Sequence, residues 1–152
     1  MSGHLQKFLV TATQKASADL ITAVGNLPEG KSSWSPFDKG RSAVDQVAEC
    51  AILNGLSADL IAKRAFPADF TMEAFVSAKA ELAAGDWESL KSLLAANTAL
   101  VVASIEAVPD EDLELIIAMP WGERTLAEIM SYCYWNMSYH EGQTNYIASL
   151  IA

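Results

Sequence analysis

The chain has 152 residues, of which 51% are hydrophobic and 19% are charged. This length suits one compact domain over residues 1–152, and the composition excludes a disordered chain. The formal net charge of −9 disfavours nucleic acid and anionic membrane surfaces as partners, because both require a basic surface on the protein.

The apolar runs are too short to span a bilayer; one of them, residues 99–103, is typical. The first residues lack the charged start and long apolar block of a signal peptide, so we expect a cytoplasmic protein. Cys50 and Cys133 are too few for a disulfide framework, and we interpret them as small core residues.

Apolar residues at helical spacing predict a first helix over residues 4–24. The Gly-Asn-Leu-Pro sequence at 25–28 is a helix stop signal. Residues 29–41 contain glycines, a proline and serines, which predicts an ordered loop, pinned by Trp34 and Phe37.

The second helix is predicted to begin near Ser42. Asp45 follows three residues later, a spacing that resembles a capping box with Asp in the usual Glu or Gln position. The helical pattern continues to Leu53, and an extension past Asn-Gly to Arg64 stays open. A shorter helix is predicted over residues 72–83.

The third principal helix is predicted from Asp86, a suitable N-cap, to Val108 before a proline. A connecting loop follows, with one extended segment over residues 115–119. Thr125 and Glu128 form a capping-box signature at the start of the fourth helix, whose pattern runs to the C-terminus. Four principal helices with short connections predict an all-α four-helix bundle.

One face of the fourth helix is predicted to point into the bundle and carries polar side chains among apolar ones. His140 and Asn136 stand on it, one turn apart. Histidine is the commonest metal ligand and a base near neutral pH, but it can equally be a core residue hydrogen-bonded to another helix. The whole face consists of Leu126, Ile129, Met130, Cys133, Asn136, Met137, His140, Thr144, Ile147 and Ile151.

Glu49 is likewise a polar residue on an apolar arc of the second helix, because the helical wheel places it between Ile52, Leu53 and Leu56. A carboxylate on such an arc is costly unless it is paired, metal-bound or protonated. Alternatively, it lies at the edge of the buried face and reaches water. Cys133 would be an additional soft ligand if the ion were zinc.

Trp135 and Tyr139 lie one turn apart and point away from the core face. Exposed aromatic side chains in a row are typical of contact surfaces, so we predict a homodimer interface there. No phosphate-binding glycine loop, Cys-x-x-Cys pair or His-Glu-x-x-His motif occurs in the sequence.

The chain resembles the DinB-like superfamily, also called DinB/YfiT, over nearly its whole length. The landmarks, in order, are Trp-Ser-Pro at 34–36, Arg-Ser at 41–42, Trp-Gly-Glu-Arg-Thr at 121–125, and Tyr-His-Glu-Gly-Gln at 139–143. The last of these matches the His-x-Gly-Gln signature of the family.

The resemblance implies an up-down-down-up four-helix bundle, often dimeric, with three histidines that hold a divalent metal. Characterised members of the family include thiol transferases and a maleylpyruvate isomerase. Carried over to this chain, the metal ligands would be Glu49, Asn136 and His140, with two of the three histidines replaced. Such an oxygen-rich set suits nickel, zinc, manganese or magnesium, bound more weakly than by three imidazoles.

Two functions follow from these substitutions. The chain is either a divalent-metal-dependent enzyme, thiol transferase-like or hydrolase-like, with a small thiol or another small molecule as its ligand. Or it is a non-catalytic, metal-free dimeric bundle that binds a small ligand or serves as a scaffold. Without a metal, a Glu–His pair can also act as an acid and base. The sequence leaves the reaction and the catalytic residues open.

Overall fold

The described part of the chain, residues 3–151 of a computed structural model, folds into five α-helices and one short β-hairpin. The prediction of a helical protein is therefore confirmed, with a small sheet added. The elements are α1 (His4–Gly25), α2 (Ala43–Lys63), α3 (Met72–Ala84), α4 (Trp87–Glu106), β1 (Ile116–Met119), β2 (Gly122–Thr125) and α5 (Leu126–Ile151), with a single 3₁₀ turn at Asp110–Asp112.

The capping residues predicted from the sequence are the ones that begin the helices. The Ser42 and Asp86 side chains each accept a hydrogen bond from the backbone N–H three residues on, at 3.2 and 2.8 Å. Thr125 and Glu128 cap α5 reciprocally, because each backbone N–H donates to the other's side chain. These bonds satisfy N–H groups that have no partner within the helix.

The long helices α1, α2, α4 and α5 contact one another in a ring, in which α1 touches α5 and α4, and α2 touches α4 and α5. Asn97 donates to the carbonyl of Ala51 at 2.8 Å, and Ser104 donates to that of Ala58 at 3.1 Å. Both partners advance by the same number of residues, so α2 and α4 run parallel. The shorter α3 lies in the connection between them.

The direction of α5 relative to α2 decides which side chains meet. Gln46 contacts His140, and Asn54, farther along α2, contacts Met137, earlier in α5. The two helices are therefore antiparallel. At the start of α1, Gln6 donates to a backbone carbonyl just beyond the end of α4, at 3.0 Å.

The inward face of α5 agrees with the helical spacing of the sequence. Every residue predicted for that face from Leu126 to Ile147 is buried, and Ile151 at the helix end is half-buried. Ala152 lies outside the described residues. Among residues 3–151, none of the helices has both the length and the hydropathy needed to cross a bilayer.

Two details differ from the sequence-based expectations. The extended segment predicted over residues 115–119 is confirmed as β1, but its antiparallel partner β2 was missed, because the sequence of β2 is polar and exposed without alternation. The prediction that Trp34 and Phe37 pin the loop over residues 29–41 was wrong in part. Phe37 is 91% exposed, and only Trp34 is half-buried. A backbone hydrogen bond from Val44 to Ser32 holds the loop to α2 instead.

Candidate functional site

The antiparallel packing of α2 and α5 brings Glu49 and His140 together. The imidazole Nε2 lies 3.0 Å from Glu49 Oε1, with the His140 side chain buried and the Glu49 side chain 17% exposed. Asn136 is buried one turn before His140, and its amide nitrogen faces the Cys50 sulfur at 3.7 Å. The structure thus joins two of the three predicted site residues directly, and places the third beside the neighbour of Glu49.

The other ring nitrogen of His140 faces two amide oxygens. Nδ1 lies 2.8 Å from Oε1 of Gln46 and 2.9 Å from Oε1 of Gln143. The amide of Gln46 is oriented by its nitrogen, which donates to the carbonyl of Arg41 at 3.3 Å. Since amide oxygens only accept hydrogen bonds, we assign a proton to Nδ1.

This tautomer determines what can lie between His140 and Glu49. With Nδ1 protonated, a neutral ring would direct the lone pair of Nε2 at a carboxylate oxygen, which is repulsive. A hydrogen-bond donor on Nε2, or a cation that binds both atoms after they move apart, would remove that repulsion.

Arg41 supplies a second positive charge to Glu49. Its Nη2 lies 2.7 Å from Glu49 Oε2, while its Nε bonds Asp45, which also faces Lys79 Nζ at 3.4 Å. The hydrogen bond from His140 and the charge of Arg41 together lower the pKa of Glu49 to about 2, against the opposing effect of burial. Glu49 is therefore a carboxylate at any physiological pH.

The sequence assigned no role to three of these residues. Gln46 lies three residues before Glu49 on the side of α2 that meets α5, a spacing that a helical wheel could have revealed. Gln143 belongs to the His-x-Gly-Gln motif, but its contact with Nδ1 depends on the ring orientation of His140. Arg41 precedes the N-cap of α2, where helical periodicity gives no signal.

Two atoms of the predicted metal-ligand set face each other here, His140 Nε2 and a Glu49 oxygen. A ligating histidine commonly donates its other N–H to an oxygen, as His140 does. Asn136 directs its amide nitrogen towards Cys50, and no hydrogen bond joins its amide to Glu49 or His140 within residues 3–151. Within residues 3–151 no group of three His, Cys, Asp or Glu side chains is arranged for a metal, so an ion bound here would have few protein ligands and would need water to complete its coordination.

Both cysteines are buried, as the sequence predicted. Burial raises the pKa of the Cys50 thiol far above its usual range and that of Cys133 to about 12. The thiols are therefore protonated and unreactive. Trp135 and Tyr139 are 55% and 52% exposed, and the Tyr139 ring meets the His140 ring edge-on at 5.3 Å between centroids.

Solved structures with the same fold include a mycothiol-dependent maleylpyruvate isomerase and a histidine-to-alanine variant of that enzyme. Each matches with a TM-score of 0.72 at 11% sequence identity, over 90% of this chain and 59% of the isomerase chain. No protein-family model and no curated protein sequence matches the chain. Likeness at this identity is a likeness of fold alone, and the chain spans about three fifths of the isomerase. The chain therefore has the DinB-like fold that its sequence motifs indicated.

Proposed function

We propose that the protein is a divalent-metal-dependent enzyme acting on a small molecule, thiol transferase-like or hydrolase-like, with Glu49, Asn136 and His140 as the metal ligands. The observation that carries this proposal is the pair of predicted ligand atoms that face each other at 3.0 Å, His140 Nε2 and Glu49 Oε1. Nickel, zinc or manganese would suit the mixed nitrogen and oxygen donors.

A bound ion would supply Lewis acidity, which makes a water or thiol ligand nucleophilic at neutral pH. The residues of the chain perform the positioning. Gln46 and Gln143 hold the His140 ring with Nε2 directed at Glu49, and Arg41 fixes the second oxygen of that carboxylate. The charge of Arg41 also opposes a second cation nearby, which should make the site bind its ion weakly.

The fold supports the thiol-related part of the proposal, since an enzyme of the same fold is mycothiol-dependent. We also propose that the chain is one domain, that it forms a homodimer, and that it works in the cytoplasm. For the fold itself we propose the up-down-down-up order of α1, α2, α4 and α5. The parallel run of α2 with α4 and the antiparallel run of α2 with α5 support that order.

The alternative is a metal-free, non-catalytic bundle that binds a small ligand or serves as a scaffold. It is favoured by the two contacts that already satisfy Glu49, with His140 on one oxygen and Arg41 on the other. Nε2 would then donate a hydrogen bond to Glu49, and the cluster would be a buried hydrogen-bond network.

Metal content decides between the two. Tag-free protein would be analysed by ICP-MS before and after incubation with nickel, zinc and manganese, beside His140→Ala and the control His4→Ala. His4 is exposed at the start of α1, away from the site. We expect about one ion per chain in the wild type and in the His4 variant, and loss of the ion in the His140 variant.

Thermal melting with EDTA and with each ion provides the second readout, because a ligand of the folded state alone raises the midpoint. An ion-free wild type whose midpoint no ion shifts would contradict the enzyme proposal and support the metal-free bundle.

A further inference from the structure

A pocket of about 600 Å³ lies between α2, the β-hairpin and the first half of α5. Pockets of this size commonly hold small organic molecules. Its walls are mainly apolar, formed by Leu53, Leu56, Leu60, Met119, Trp121 and Ile129. Leu53 and Leu56 are only half-buried by the protein, so an apolar ligand would remove further apolar surface from water.

The hairpin wall of the pocket is anchored to the rest of the protein. Trp121 packs edge-on against Phe66 at 5.6 Å, and Phe66 packs in the same way against Phe70 at 5.3 Å. Leu126 at the start of α5 donates to the carbonyl of Leu115 beside β1, at 2.8 Å. These contacts keep the pocket formed without a ligand.

The polar atoms at the edge of the pocket favour an anion. One oxygen of the Glu128 carboxylate, Oε2, is used in capping, since it accepts from both the backbone and the hydroxyl of Thr125. Arg124 donates to the carbonyl of Glu123, and within residues 3–151 no carboxylate pairs with its guanidinium. Among the described residues that line the pocket, Arg124 is the one cation, and its remaining N–H donors are available to an anionic ligand.

Tyr132 lines the pocket and lies about two turns before His140 on α5. Burial and the negative charge of Glu49 raise the pKa of Tyr132 to about 12. Ring contacts at 5.9, 5.6 and 5.3 Å between centroids connect Tyr132 to His140 through Trp135 and Tyr139. The pocket is thus formed in part by the turns of α5 that precede the site, whose own residues do not line it.

We propose that this pocket binds a small carboxylic acid with an aromatic or alkyl body, the body against Leu53, Leu56 and Trp121 and the carboxylate at Arg124. The proposal deepens the proposed function by giving the organic substrate a place and a chemical class. It rests on that function only for the view that the bound acid is a substrate.

The probe acid is 4-phenylbutyrate, compared with 4-phenylbutanol, which has the same body without the charge. Binding is followed by NMR of methionine methyl groups in EDTA-containing buffer, because Met119 lines the pocket while Met72 is exposed on α3. We expect a saturable shift of the Met119 methyl with the acid, no shift of Met72, and binding of the alcohol weaker by about fivefold.

Two variants test the assigned contacts. Arg124→Gln should weaken binding of the acid about fivefold and leave the alcohol unaffected, whereas Lys31→Gln, an exposed loop control, should change neither. Leu56→Trp fills the pocket and should abolish binding of both. Unchanged methyl signals of the core residues Met130 and Met137 would show that this variant is folded.

The proposal would be overturned if the Met119 methyl signal did not shift at millimolar acid, or if the acid and the alcohol bound equally well. Tight binding of the acid to a folded Leu56→Trp protein would also overturn it. The two proposals can fail separately, because acid binding is measured in EDTA-containing buffer and metal content is measured without the acid. Acid binding without any metal binding would support the acid-binding pocket and contradict the metal-dependent enzyme. Metal binding without acid binding would support the enzyme and contradict the acid-binding pocket.

Discussion

Replacement of Glu49 by Gln removes the charge on which the site depends and keeps the size of the side chain. The pKa of Glu49 is about 2, against 4.5 for an ordinary glutamate, which corresponds to at most about 3 kcal/mol of stabilisation at neutral pH. Arg41 is 36% exposed and solvent screens its ion pair, so we expect Glu49→Gln to lower the free energy of unfolding by about 1–2 kcal/mol.

The pH dependence of that loss has a definite sign. The pKa of Glu49 is lower in the folded than in the unfolded chain, so its stabilisation is complete above 4.5 and is lost as the pH falls towards 2. Urea unfolding of the wild type and the variant should therefore differ most at about pH 7, and the difference should shrink steadily below pH 4.5 and vanish only as the pH approaches 2. Glu29→Gln, in an exposed loop, is the control. Equal stabilities at neutral pH, or a difference that does not change with pH, would refute this account of the site.

Three further predictions concern other parts of the molecule. Thr98→Val should destabilise the protein by about 1–3 kcal/mol in urea unfolding, because the buried amide of Asn54 loses the hydroxyl that it contacts at 3.0 Å; a silent substitution would contradict this. Cys50 and Cys133 should react with a thiol reagent only after unfolding, because burial raises the pKa of both; rapid labelling of the native protein would show exposed thiols. Trp135→Glu should convert the predicted dimer to a monomer in light scattering, and a monomeric wild type at micromolar concentration would count against the interface.

The Asn-Gly pair at residues 54–55 of α2 shows a limit of prediction from the local sequence. Asparagine followed by glycine is a turn signal, so the sequence left the extension beyond Leu53 open. In the structure α2 passes through both residues. Asn54 is buried and bonds α4, and a Cβ on Gly55 would lie 2.9 Å from the Asn97 side chain. Close packing against α4 therefore decides the local structure, and that contact is not encoded in the local sequence.

The candidate site also contains residues that the sequence could predict and residues that it could not. Glu49 and His140 were predictable, because each breaks the apolar pattern of a helix face, and such a break depends on that helix alone. The contact of Gln46 with Nδ1 requires the register between α2 and α5, which long-range packing sets. The contact of Arg41 with Glu49 requires the backbone conformation just before α2, where helical periodicity gives no signal. Capping residues such as Thr125 were predictable, since their partners lie within one turn.

The two proposed functions differ in what faces Glu49 beside Arg41. Gln46 and Gln143 direct amide oxygens at Nδ1 of His140, so Nε2 is the ring nitrogen that faces the carboxylate. Arg41 stabilises that carboxylate in either case, and its charge disfavours a doubly charged ion nearby more than a proton. If the site binds an ion, proton and ion therefore compete for the same two residues. We expect the protein to keep its fold in either state, because the ring and the carboxylate remain paired in both.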